Sequence, residues 1–212
     1  MRRNAFISLV LGAMLVLSAS TGWATPAPTQ ARQALETSID HILALLKEPE
    51  YANPATRGPL RTRIENEVRH VFDFNEFSAR TVGAPWRNFS AQQKKAFSDA
   101  FAGLLLTTYL DKINGYNGER IAYTGEVSSP AGDRVEVRTV LTLKDGKSVP
   151  VAYRMLPKNS TWYVYDVLIE GISLVKNYRT QFQDILTKGT PEQLIERVRD
   201  KSRSLQEKSD AQ

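Results

Sequence analysis

The chain has 212 residues, no cysteine, two histidines and a formal net charge of +5. Without cysteine there is no thiol nucleophile, no iron–sulfur cluster, no thiolate-ligated zinc and no disulfide framework, and neither His41 nor His70 has a second histidine at ligand spacing. A hydrophobic content of 42% suits a packed core rather than wholesale disorder, and a modest, dispersed positive charge suits anionic surfaces such as lipid headgroups better than nucleic acid, which needs a clustered basic face.

The chain starts with Met1-Arg2-Arg3-Asn4, a short positive segment. Residues 5–17 form an uncharged apolar run, and residues 18–24 are mostly small, with Gly22 and Ala24 at the −3 and −1 positions of a cleavage site. This is the pattern of a secretory signal peptide over 1–24. The apolar run is shorter than the about 20 residues of a spanning helix, and no cysteine follows the site to carry a lipid. The expected mature chain is soluble outside the cytoplasm. It covers 25–212 as a single domain, with a net charge of +3 once Arg2 and Arg3 are gone.

Apolar residues then recur at helical spacing from 30 to 47, at Leu35, Ile39, Ile42, Leu43 and Leu46. Residues 53–59 break the pattern. A second helix is expected over 60–71, with Ile64, Val68 and Val71 on one face. The aromatic run 72–77 leads into a short helix that stops before Gly83-Ala84-Pro85. Ser90-Ala91-Gln92-Gln93 is a capping box: the serine hydroxyl can accept from the Gln93 backbone while the Gln93 side chain reaches back to Ser90. The helix it opens carries Phe97, Phe101, Leu104, Leu105, Thr108, Tyr109 and Ile113 on one stripe and ends at Gly115, Asn117 and Gly118.

Four strands are expected next. Residues 120–127 form a short one. Residues 134–143 alternate, with Val135, Val137, Thr139, Leu141 and Leu143 on one face. Asp145-Gly146 predicts a two-residue hairpin into Val149, Val151, Tyr153 and Met155. Residues 161–169 are apolar on both faces, as expected of a strand covered on both sides. Short connections make the sheet an antiparallel meander. A helix from Gly171 follows, with Val175, Tyr178, Phe182, Ile185 and Leu186 on one face. Gly189 stops it, and the box Thr190-Pro191-Glu192-Gln193 opens the last helix, whose charged tail is expected to fray from about 203. Helices, then one sheet, then helices make an α+β fold.

Nothing in this order carries a catalytic constellation. There is no Gly-rich phosphate loop, no nucleophile elbow and no HExxH, so no catalytic residue, metal or cofactor is assigned. Asp166 is the one candidate base, a carboxylate inside an apolar strand. The alternative is that it pairs with a neighbouring-strand cation such as Arg154. The surplus in the mature chain is apolar. Taken singly, its stripes read as ordinary core. Taken together, a curved four-stranded antiparallel sheet with helices laid over it can enclose a hydrophobic cavity. Its lining is then Phe97, Phe101, Leu105 and Tyr109 from the central helix, Val137, Leu141, Val151, Tyr153 and Val164 from the sheet, and Val175, Tyr178 and Phe182 from the helix after it. An isomerase with a cone-shaped pocket and Asp166 as base, and an adaptor taking a peptide in an apolar groove, remain open as alternatives.

Two blocks carry a resemblance. Residues 82–97, Val82-Gly83-Ala84-Pro85-Trp86-Arg87-Asn88-Phe89-Ser90-Ala91-Gln92-Gln93-Lys94-Lys95-Ala96-Phe97, resemble the LGxxWRxxSxxQxxxF signature of the MlaC (toluene-tolerance) family, with Val82 where leucine is usual. Residues 162–175 are similar to its WxVYDVxIEGISLV segment, followed by Asn177-Tyr178-Arg179 and Phe182. The resemblance spans 30–201. It implies a periplasmic phospholipid carrier that works between an outer-membrane lipoprotein–porin complex and an inner-membrane ABC transporter with an MCE-domain ring. It also implies acyl chains between sheet and helices, with the headgroup near solvent.

Overall fold

A computed structural model of the chain describes residues 27–53, 55–113 and 118–210. The segment expected to be a signal peptide, 1–24, lies outside these residues. Helices come first: α1 (Thr29–Leu46), α2 (Pro49–Ala52), α3 (Arg57–Val71), α4 (Phe74–Val82) and α5 (Ala91–Ile113), with a 3-10 turn over Ala84–Asn88 before α5. Strands β1 (Arg120–Ser128), β2 (Val135–Thr142), β3 (Ser148–Lys158), β4 (Thr161–Ile169) and β5 (Ile172–Ser173) follow, then α6 (Leu174–Lys188) and α7 (Pro191–Asp210). The sheet has the plain order β1-β2-β3-β4-β5, with every neighbour antiparallel and no closure into a barrel. This is the expected α+β meander, with a fifth, two-residue strand added.

Both capping boxes form. Ser90 N donates to Gln93 Oε1 at 2.6 Å and Gln93 N to Ser90 Oγ at 3.2 Å; the matching distances for Thr190 and Gln193 are 3.0 and 3.4 Å. Two turns differ from expectation. The β2–β3 loop is longer than a two-residue turn: Gly146 N donates to Leu143 O and Leu143 N to Lys147 O, and Gly146 sits at φ +84°. That is a three-residue loop whose glycine takes the left-handed position. At the end of β4, Glu170 and Gly171 have φ of +51° and +80°. Two successive left-handed residues reverse the strand directly, so Gly171 serves a hairpin. The helix begins only at Leu174, where the Ser173 side chain accepts from Lys176 N. The third difference is the tail. The chain expected to fray from about 203 continues as α7 to Asp210. Its Leu194, Ile195 and Val198 are buried, the Ser202 and Thr107 hydroxyls lie 3.5 Å apart, and the Gln93 side chain donates to Glu192.

Helix α5 organises the core. One side presents Phe97, Phe101, Leu104 and Leu105 to the main cluster, which joins α1, α4, α6, α7 and the sheet. The other side buries Leu106 and Leu110 against Leu45, Leu46, Tyr51, Leu60 and Ile64. A single stripe was expected; two apolar faces make α5 a bridge between two cores. At its centre Phe101 lies 5.6 Å from Phe77, 5.7 Å from Phe97, 5.0 Å from Tyr178 and 5.4 Å from Phe182, measured between ring centroids. Stacked and edge-on contacts of this kind add to simple area burial.

Candidate functional site

One face of the sheet is largely apolar, with Glu126 opposite Val137 and Ser128 opposite Val135 as its polar members on β1. The register sets Val135 opposite Met155, Val137 opposite Tyr153, Thr139 opposite Val151 and Leu141 opposite Val149. It continues with Tyr153 opposite Val167 and Val151 opposite Ile169, and on the other flank with Tyr123 opposite Thr139 and Ile121 opposite Leu141. Burial changes along this face. Val135, Val137, Met155 and Val164 are sealed, whereas Ile121, Leu141, Val149, Val151 and Ile169 are only half-buried. The face is therefore closed where β2 begins and open where β1 begins and β4 ends.

The expected lining divides the same way. Phe97, Phe101, Leu105, Val137, Val164, Val175 and Phe182 are buried members of the main cluster. Tyr109, Val151, Tyr153 and Tyr178 are half-buried and packed against it. Leu141 stands at the open end, between Ile121 and Val149. The structure thus brings together a packed floor and a half-open apolar zone above it. Ile121, Tyr123, Val149 and Ile169 belong to that zone and were not foreseen as lining. The alternation Ile121, Tyr123 in β1 was the available signal, and the irregularity between Tyr123 and Gly125 cut it short.

Four tyrosines mark the zone. Burial pushes the Tyr153 phenol up to about 12. Burial does the same for Tyr178, with the Tyr109 charge adding and a hydrogen bond with Thr108 opposing. Tyr109 is also raised by burial. Tyr123 is raised furthest, by burial first and then by Glu36, Tyr153 and Asp40, against Arg32. All four stay neutral at physiological pH, so the zone offers apolar surface and uncharged hydroxyls.

Asp166 lies elsewhere and is fully engaged. Its Oδ2 accepts from Ser173 Oγ at 2.7 Å and from Arg154 Nη1 at 3.3 Å, and its Oδ1 accepts from Val175 N at 3.0 Å. Arg154 also binds Glu136 at 3.2 Å. The carboxylate is 2% exposed and ties β4 to the first turn of α6. The position that marked it as a candidate base is thus a structural one: a negative charge among the free N–H groups at a helix start. Asp166→Asn is expected to lower stability by about 1–3 kcal/mol, the usual loss for a buried charge-assisted contact. Chemical denaturation of both proteins checks it. His41 is exposed with Nδ1 3.7 Å from Glu67, and His70 is exposed.

The two sequence blocks that carry the resemblance meet in space. Trp86 and Phe89 pack on Phe97 at 5.9 and 6.4 Å, and Phe97 packs edge-on against Phe182 at 5.5 Å. Arg179 donates through Nε to the Arg80 carbonyl at 2.8 Å, and Arg80 lies 4.1 Å from the Tyr165 ring. The Arg80 carbonyl, one of those left free at the end of α4, is thereby satisfied by α6. These blocks frame the apolar zone from below. A hollow at the opposite end of the sheet, about 350 Å³, is lined by Arg69, Phe72, Asp73, Phe74, Lys158, Asn159 and Tyr163. It is open to solvent and crossed by a 2.6 Å ion pair between Lys158 and Asp73, which leaves no apolar depth for a hydrocarbon chain.

Comparison with known proteins gives a consistent result. The family described as MlaC protein matches residues 36–200. The intermembrane phospholipid transport system binding protein MlaC of Haemophilus influenzae is 22% identical over 198 residues, covering 91% of this chain and 89% of its own. The toluene tolerance protein ttg2D of Pseudomonas putida is 25% identical over 187 residues, covering 88% and 82%. A phospholipid-binding protein from Ralstonia solanacearum, solved in complex with a phospholipid, superposes with a TM-score of 0.75 at 23% identity, over 83% of this chain and 98% of that one.

Proposed function

The chain belongs to the MlaC protein family, and from that premise we propose that it is a soluble periplasmic phospholipid carrier and not an enzyme. Its partners on this reading are an outer-membrane lipoprotein–porin complex and an inner-membrane ABC transporter with an MCE-domain ring, and its work maintains the lipid asymmetry of the outer membrane. The observation that supports it best is the apolar sheet face that is sealed at one end and half-open at the other. That is the shape a hydrocarbon chain needs: a floor it can reach and a mouth it can leave by. The names of these relatives point the same way, and no helix among the described residues is long and apolar enough to cross a membrane.

The energetics suit a carrier without an active site. At about 0.8 kcal/mol per buried methylene, two chains of roughly 15 carbons put more than about 20 kcal/mol at stake in water. Free lipid does not cross an aqueous gap at a useful rate against such a term. A carrier that bound far more tightly than a bilayer would never release, so a slot of matching apolarity is enough. Protein purified without detergent from a bacterial periplasm is expected to yield close to one equivalent of glycerophospholipid on solvent extraction and mass spectrometry. No glycerophospholipid in the extract would end this reading.

A further inference from the structure

The Tyr123 hydroxyl is buried and has no hydrogen-bond partner among the described residues. Such groups are rare, because burying a hydroxyl without a partner costs more than a typical bond returns. Tyr123 stands on the apolar face of β1, opposite Thr139. The Thr139 hydroxyl donates its proton to the Val151 carbonyl at 3.0 Å. On the helix side, the Arg32 guanidinium lies 5.2 Å from the Tyr123 ring and donates to Glu36 at 2.8 Å. The Glu36 carboxylate is thus already paired with a cation.

We infer that Tyr123 is a positioning residue for the cargo, its hydroxyl donating a hydrogen bond to an oxygen at the polar end of a bound phospholipid, an ester carbonyl or a phosphate oxygen. The inference rests on the proposed carrier function. The phenol is held firmly protonated by burial, with Glu36, Tyr153 and Asp40 adding, so the group is a donor across the whole physiological range. Its place in the sheet fits the role. Tyr123 lies beside the half-open zone of Val151 and Tyr153, not in the floor formed by Val137 and Val164. Hydrocarbon fills the apolar zone without direction. One donor fixed at the level where chain meets headgroup sets how deep the lipid sits, and it penalises apolar cargo that brings no acceptor.

Tyr123→Phe tests this, since it removes one oxygen and keeps the ring that stacks with Arg32. Wild type and variant are loaded with diester phosphatidylethanolamine or with its diether analogue of equal chain length, and release to acceptor vesicles is timed. Lipid-free melting temperature is measured in parallel. The variant is expected to melt at or above the wild-type temperature when lipid-free, and to release the diester lipid about fivefold faster, the order expected for one buried hydrogen bond. If the diether lipid leaves wild type as fast as it leaves the variant, the acceptor is the ester carbonyl; if the variant loses hold of both lipids equally, it is the phosphate. Wild-type release rates for both lipids in the variant would overturn the inference. So would a lower lipid-free melting temperature, which would place the partner inside the protein. Failure of wild type to take up either lipid would instead remove the carrier reading itself.

Discussion

Phe101→Ala is expected to lower the stability of the lipid-free protein by about 3–5 kcal/mol, the range for removing a fully buried aromatic from a packed site. Phe101 is 0% exposed and touches rings from three helices: Phe77 of α4, Phe97 of its own α5, and Tyr178 and Phe182 of α6. None of these neighbours can close over the gap without giving up its own packing, so the lost transfer energy and the cavity add together. A domain of ordinary stability holds only about 5–15 kcal/mol, which makes the variant marginal at growth temperature. Urea titration of both lipid-free proteins measures the difference, with an unchanged slope confirming that the same surface unfolds. A loss below about 1 kcal/mol would mean that the space around Phe101 is already open, and that the slot reaches down to α5.

That result bears on how the sequence divides between frame and site. Helix α5, the strands β2 to β4 and both capping boxes were legible because each rests on a local rule: a 3.6-residue or two-residue period, or a serine or threonine three residues ahead of a glutamine. The pairing of Asp166 with Arg154 was legible for a similar reason. A carboxylate inside an apolar strand must find a cation or donors close by, and the neighbouring strand is closest. What stayed hidden depends on partners distant in sequence. The second face of α5 shows itself only when Leu106 and Leu110 meet Leu45, Tyr51 and Leu60. The tail beyond 203 reads as a charged coil from composition, yet Leu194, Ile195 and Val198 anchor the helix that continues into it.

The shared face of the sheet was legible, and its shape was not. Periodicity put Val137, Leu141, Val151, Tyr153 and Val164 on one face, and the register keeps them there. It carried no information on which of them would be sealed. Val137 and Leu141 differ by four positions on one strand, but one lies under the aromatic cluster and the other beyond its edge. That difference is set by where the helices over the sheet end, α1 being the one that packs against β2, and this is a property of helix packing. Tyr123 was missed for a related reason. The irregularity after it breaks the alternation that would have announced β1 as a lining strand.

The half-open end is where bulk should block cargo without harming the fold. Leu141→Trp and Val151→Trp are each expected to change the lipid-free melting free energy by less than about 1 kcal/mol, below the 1–3 kcal/mol of overpacking a closed core. Both positions are half-buried, so an indole has solvent-side room that it would lack at Val137 or Val164. Leu141 faces Ile121 and Val149, and Val151 faces Thr139 and Ile169. An indole at either place fills the apolar zone in which, on the proposed function, the acyl chains lie. Phospholipid bound per protein is expected to fall at least fivefold in both variants, because displacing even a few methylenes from an apolar surface costs about 0.8 kcal/mol each. Val137→Trp is the contrast: at a sealed position the same indole is expected to destabilise the lipid-free fold. The measurement pairs lipid content after detergent-free purification with denaturant stability after delipidation. If Leu141→Trp and Val151→Trp keep their lipid while losing stability as Val137→Trp does, the open end is core, and the cargo lies on another face of the molecule.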